Sequence, residues 1–258
     1  SPLTLRTAAS APQTAPARPR QPQAPALPFD DRIYTLGYEV FLENGKQEDA
    51  WAVAQAAVRQ QPNSLLWRER LARVSDWTQR PDVALEHWLY VAQKTQRDDA
   101  WQAVLRLAPG QFDDEALVQG LRYQLRKEPG NRKLLEELVD AYERIGDPQP
   151  ALDLLSAQAH DADSLELFAN LAERAGKPAM GLEAWRKLLA MPGENTAERA
   201  MRAAVLALLQ GHADEGLRWL ESSAPPTQAD EDAADYWRLT GQLAEGRQKQ
   251  ALAIKAYR

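Results

Sequence analysis

One interval dominates this sequence. Ala84, Trp88 and Val91 fall 34 residues after Ala50, Ala54 and Ala57, and Trp67 and Trp101 are separated by the same distance. Farther along, Gly146, Gly176, Gly211 and Gly246 follow one another at 30, 35 and 35 residues. A period of this size matches one helix–turn–helix unit. Such a unit cannot bury the apolar stripes of both its helices alone. Neighbouring units must stack and share a core, so the chain is expected to form an elongated array rather than a globule.

The residue types within each period support that reading. In the first unit Tyr34, Gly37, Tyr38 and Phe41 recur at helical spacing, Gly45 interrupts, Ala50, Ala54 and Ala57 resume the spacing, and Pro62 stops it. The fourth unit runs Leu135, Leu138, Val139, Tyr142, then Gly146, then Ala151 and Leu155. Leu165, Phe168, Ala169 and Ala172 lead to Gly176, and Ala200, Ala203, Ala204 and Ala207 lead to Gly211. Trp237 and Leu239 lead to Gly246. Glycine between paired helices takes positive φ and reverses the chain. A small residue early in the second helix allows close backbone approach, and bulky residues one turn later fill the space between pairs. Pro81 and Pro148 stand where second helices begin, a position with no N–H to satisfy. Asn195 with Glu198 has the spacing of a capping box. The regular small positions Ala50, Ala84, Ala116, Ala151, Gly181, Gly216 and Ala251 give about seven units over residues 30–258. The third is irregular, because Pro109–Gly110 cuts its first helix short. The seventh stops within its second helix, which suggests an array that continues.

Residues 1–29 read differently. They hold seven prolines and three arginines but no acid. With so few apolar groups to offset ordering entropy, this segment is expected to be a flexible spacer. The full chain has a net charge of −6, which leaves the body nine negative. An acidic body argues against nucleic-acid binding, which needs a cationic face. There is no cysteine, so disulfides and thiolate metal sites are excluded. No run of about 18 apolar residues is present to span a membrane, and no signal peptide is evident.

These repeats resemble the tetratricopeptide repeat family from about residue 31 to 258, best in the first and fourth units. The resemblance implies an all-α, right-handed superhelical solenoid with a concave face formed mostly by the first helices, and a role in gripping other proteins. The Pro/Ala-rich lead-in, the segment LFANLAERAGKPAMGLEAWRKLL (167–189) and the Trp-rich repeats also look like the periplasmic repeat region of the Pel exopolysaccharide export family. That resemblance implies recruitment of a periplasmic polysaccharide deacetylase or hydrolase, guidance of a cationic polysaccharide, and a location in the periplasm as part of a longer outer-membrane-associated protein. Exporters of cellulose and poly-N-acetylglucosamine also carry such arrays.

Chemistry is sparse. His87, His160 and His212 lack the ligand spacing of a metal site. Gly45–Lys46 and Gly176–Lys177 lack the remainder of a phosphate loop, and no serine has a nucleophile-elbow setting. Trp88 and Trp185 fall at packing positions, and Trp77 at a surface one. No catalytic, cofactor or metal residue is assigned, and the chain is read as non-enzymatic. The outward side of the first helices carries Glu39 and Glu43; Glu69, Arg73 and Trp77; Glu136, Asp140, Glu143 and Arg144; and Glu166, Asn170, Glu173 and Arg174. This mostly acidic ladder fits a groove for a basic peptide or cationic glycan. It fits equally a solvated face laced with pairs such as Asp140–Arg144. In the sixth unit Met201, Val205, Leu208 and Leu209 add an apolar patch on the same side. The alternative to the export reading is a cytoplasmic adaptor or co-chaperone, which needs a cationic clamp for an acidic chain terminus.

Overall fold

The computed structural model describes residues 29–158, 160–227 and 231–257. The spacer expected over residues 1–29 lies outside the described residues except for Phe29. That residue packs against Tyr34 and Trp67, with ring centroids 4.9 and 6.4 Å away, and so belongs to the packed body. Fourteen α-helices and no strand occur among the described residues.

The helices run as pairs along the chain. They are α1 (Asp31–Glu43) with α2 (Gln47–Gln60), α3 (Leu65–Trp77) with α4 (Pro81–Thr95), and α5 (Asp98–Leu107) with α6 (Asp114–Lys127). Then follow α7 (Arg132–Ile145) with α8 (Gln149–Gln158), and α9 (Ala162–Arg174) with α10 (Pro178–Leu189). The last are α11 (Ala197–Leu209) with α12 (Ala213–Ser222), and α13 (Glu231–Gly246) with α14 (Gln250–Ala256). Each helix packs on its neighbours in the chain, as a stacked array requires. The core is likewise serial. Trp67 and Leu71 close the first two pairs, Trp88 and Trp101 the next. Leu138, Leu152, Leu171, Trp185 and Leu188 fill the middle, and Leu217, Tyr236 and Leu243 the end. Burying each such side chain contributes about 1.5–3 kcal/mol.

Chain reversal inside every pair uses one residue in the left-handed region. At Gly45, Gly146, Gly176 and Gly211 φ lies between 69° and 82°. Gln79, Phe112 and Gln248 do the same work with φ of 58°, 54° and 59°. These seven positions are 30 to 37 residues apart, which is the true period of the array. Gly246, read from the sequence as the last turn glycine, is instead the final residue of α13. The reversal comes two residues later, at Gln248. The reading of the seventh unit shifts accordingly. Its small packing residue is Ala253, buried, while Ala251 is exposed. The core of α13 is Tyr236, Thr240, Leu243 and Ala244, with Trp237 and Leu239 only half-buried.

The small residues are small for a steric reason. A Cβ on Gly216 would stand 3.0 Å from Ala204 Cα, and one on Gly181 3.1 Å from the Ala169 carbonyl oxygen. Helix starts also divide by type. Asp30, Ser64, Asn131, Asp161 and Thr196 cap α1, α3, α7, α9 and α11 through side-chain oxygens that accept backbone N–H bonds. The second helices α2, α4, α10, α12 and α14 begin after Lys46, Arg80, Lys177, His212 and Lys249, with no side-chain cap. Thr196, not Asn195, caps α11. The Asn195 amide donates instead to the Trp219 carbonyl at 3.2 Å and to Ser222 Oγ at 2.9 Å, tying α11 to α12. In the third pair the pattern inverts: α5 is uncapped and Asp113 caps α6, after a 3-10 turn over Pro109–Gln111.

Candidate binding surface

Glu39, Glu69, Glu143 and Glu166 stand on the first helices α1, α3, α7 and α9. Their partners could not be read from spacing. Glu39 lies 3.5 Å from Arg70. Glu69 accepts from Arg73 at 2.6 Å and from Arg97 at 2.9 Å. Glu143 takes both arms of Arg174, at 2.7 and 2.8 Å. Glu166 accepts from Arg199 at 2.9 Å, with Arg202 at 3.8 Å. In each case an arginine 28 to 33 residues downstream, at or in the next first helix, meets the acid. These four acids therefore form a row of ion pairs between successive repeats; the sequence allowed both a solvated face laced with ion pairs and an acidic groove.

The remaining members are disposed as follows. Glu136 pairs with Arg132 at 2.7 Å within α7. Glu173 accepts from the indole N–H of Trp185 at 3.0 Å. Arg144 turns back to Asp114 at 2.7 Å rather than to Asp140. Glu43 and Asp140 are exposed. Trp77 is half in solvent at the end of α3, and the Arg73 guanidinium lies over Trp88, 5.7 Å from its centroid. Arg97 holds the Glu69 carboxyl below its ordinary range, against burial that pushes it up. Among the described residues no group of three or more His, Cys, Asp or Glu side chains is arranged to hold a metal ion.

The chemistry of the surface changes in the last three pairs. A groove of about 660 Å³ runs between α9, α11 and α13. Met201, Val205 and Leu239 form its apolar part, and Asn170 and Gln242 contribute amides. Arg174, Arg202, Arg238, Glu173 and Asp235 edge it with charges of both signs. Leu208 and Leu209 extend the exposed apolar surface along α11. The patch on α11 was visible in the sequence. Its α13 half was not, because taking Gly246 as the turn displaced the register of that helix by two residues. The position of Gln248 relative to Ala253 was the available signal.

Residues 190–258 match the tetratricopeptide repeat family. No curated protein matches the chain by sequence. Among solved structures the chain is similar to one of Naa15/Naa10 bound to HypK-THB, at 13% identity with a TM-score of 0.51, over 88% of this chain. The chain spans 35% of the length of that structure. A likeness at that identity speaks for the fold. Further similarities are to a thermophilic TPR protein of Thermus thermophilus, at 20% identity, a TM-score of 0.33 and 69% and 98% of the two chains. PilW, a type IV pilus biogenesis factor, aligns at 13% identity, a TM-score of 0.38 and 78% and 96%.

Proposed function

We propose that the chain, a stack of helix pairs whose residues 190–258 match the tetratricopeptide repeat family, is a non-catalytic scaffold that docks a protein partner in the groove between α9, α11 and α13. One observation carries the reading. Glu39, Glu69, Glu136, Glu143 and Glu166 stand in ion pairs within the array, whereas Met201, Val205 and Leu239 present apolar surface bordered by arginines and carboxylates. That combination suits an amphipathic protein segment, whose apolar side chains supply affinity and whose charges set register.

The finer reading is that the partner is a periplasmic polysaccharide deacetylase or hydrolase in exopolysaccharide export, with the array in the periplasm. It is supported by the sequence resemblance over residues 167–189 and the Pro/Ala-rich lead-in. A direct grip on a cationic polysaccharide through the first-helix acids is weakened by their pairing with arginines. The test uses the full chain as bait in periplasmic extract, with mass spectrometry of retained proteins. Retention of such an enzyme by the unaltered chain, and its release by Val205→Asp or Leu239→Asp but not by Glu136→Lys, is the expected result. Release by Glu136→Lys with the α11 and α13 variants still binding would move the site to the middle repeats. Retention of nothing specific would remove the export reading.

A further inference from the structure

A groove of about 410 Å³ opens between α6, α7 and α8. It shares no residue with the groove between α9, α11 and α13, and it lies in the middle of the array, with helix pairs on both sides. Buried Leu125, Leu138 and Tyr142 line it, together with half-buried Leu154. Pro129 and Pro150 complete the apolar wall with a backbone of fixed φ.

Tyr142 breaks the repeat pattern at its position. Four residues before the left-handed residue of the turn, other pairs have Ser75, Ala108, Ala172, Ala207 and Ala244, all fully buried. Tyr142 puts a large ring there, 8% exposed, and its hydroxyl has no hydrogen-bond partner among the described residues. Tyr38 and Tyr236, also buried, each have one. They donate to the Arg70 carbonyl at 3.3 Å and to the Leu220 carbonyl at 2.7 Å. The Tyr142 hydroxyl is not sealed from solvent either. Among the described residues, the sealed side-chain polar atoms without a partner are the Trp88 and Trp101 indole nitrogens and Asn195 Oδ1. The hydroxyl is thus a donor left to whatever enters the groove.

Charge identifies the acceptor. Arg122 and Arg126, both exposed, edge the groove one helical turn apart on α6, a spacing at which like charges repel. Neither stands in an ion pair among the described residues, although the body of the chain is nine negative. Arg126 donates to Gln96 Oε1 at 3.4 Å and lies over the Tyr123 ring, 5.6 Å from its centroid, and neither contact neutralises it. On the adjoining helices Arg106, Arg132 and Arg144 all have carboxylate partners. The corresponding groove one pair on, between α8, α9 and α10, carries one charge of each sign, Glu183 and Lys187. We propose that the groove between α6, α7 and α8 docks an acidic segment of a protein partner. An apolar side chain of that segment enters between Leu125, Leu138 and Leu154, and carboxylates beside it meet Arg122, Arg126 and the Tyr142 hydroxyl.

Fluorescence anisotropy with the full chain tests this, using an end-blocked, fluorescein-labelled peptide in which leucine and phenylalanine alternate with glutamate. The expected result is saturable binding that Arg122→Glu and Arg126→Glu each weaken by about tenfold or more. Tyr142→Phe keeps the ring and is expected to weaken it by about threefold to tenfold. Met180→Gln, in the corresponding groove of the next pair, leaves binding unchanged. So does Val205→Asp, in the groove between α9, α11 and α13, which lets the two docking sites stand or fail separately. Helix content by circular dichroism is the same in every variant. A peptide that shows no saturable binding overturns the proposal, and so does binding that survives Arg122→Glu and Arg126→Glu together. Equal binding of a peptide with serine in place of leucine and phenylalanine also overturns it, because charge alone is then being read.

Discussion

Gly45 and Gln79 perform the same reversal with different side chains, which makes them a matched pair for measurement. A Cβ at Gly45 would meet nothing within 4 Å, so Gly45→Ala isolates the cost of positive φ. It is expected to lower unfolding stability by about 1 kcal/mol in denaturant titration. Gln79→Gly is expected to raise it, by up to about 1 kcal/mol once the greater entropy of the unfolded glycine is counted. His87 is a second residue-scale case. It is buried in α4, and its Nδ1 accepts from Arg68 at 3.0 Å, so the ring is neutral and carries its proton on Nε2. Burial lowers its pKa, and Arg68 lowers it further against the opposing pull of Glu86. The folded state therefore binds fewer protons than the unfolded one below the unfolded value of about 6.5, and stability is lost as pH falls from there. His87→Gln keeps an acceptor for Arg68 and is expected to flatten that slope below about pH 6.5 in thermal melts.

At the scale of the element, first and second helices are stabilised differently. The first helices α1, α3, α7, α9 and α11 have polar caps, and Ser64→Ala, Asn131→Ala or Asp161→Ala is expected to cost about 1 kcal/mol each. The second helices α2, α4, α10, α12 and α14 start without side-chain caps, and the basic residues there reach elsewhere. Arg80 binds Glu48 of α2 through both guanidinium arms, at 3.1 and 2.6 Å, and Lys249 binds Glu221 of α12 at 2.7 Å. The inter-repeat pairs are partly exposed, so each is expected to contribute under about 1 kcal/mol, and a double-mutant cycle on Glu143 and Arg174 should return a coupling of that size that shrinks in salt. Their collective effect is to fix which acid is free. The polar face of a single helix shows where the acids point, but its partner arginine belongs to another repeat. For that reason the ladder Glu39, Glu69, Glu143 and Glu166 was legible as a row that could be paired, but the arginine of the next repeat that meets each acid was not.

Over the whole molecule, contacts are local in sequence, which sets how the chain loses structure. A cavity in one pair weakens that pair and its neighbours before distant ones. Leu171→Ala removes a fully buried side chain of α9 and is expected to cost about 2–5 kcal/mol. Native-state hydrogen exchange should then show faster opening in α7 through α12, with α1 to α4 protected as before. Uniform loss of protection along the chain would mean that the array unfolds as one cooperative unit.

The sequence by itself determined the class of fold. A period near 34, small residues at fixed places and apolar residues at helical spacing leave stacked helix pairs as the way to bury the stripes. The same pattern identified Trp88 and Trp185 as packing residues and the apolar patch of α11. Tertiary structure decided what depended on residues that break the pattern or lie a repeat apart. Gln79, Phe112 and Gln248 turn the chain without glycine, because packing of the flanking helices holds a left-handed conformation that the side chain alone disfavours. The register of α13, the arginine partners of the first-helix acids, and the groove between α9, α11 and α13 all followed from how the pairs stack. Each is a relation between residues about one or two periods apart, and a stripe on one helix holds no record of what the next helix places against it.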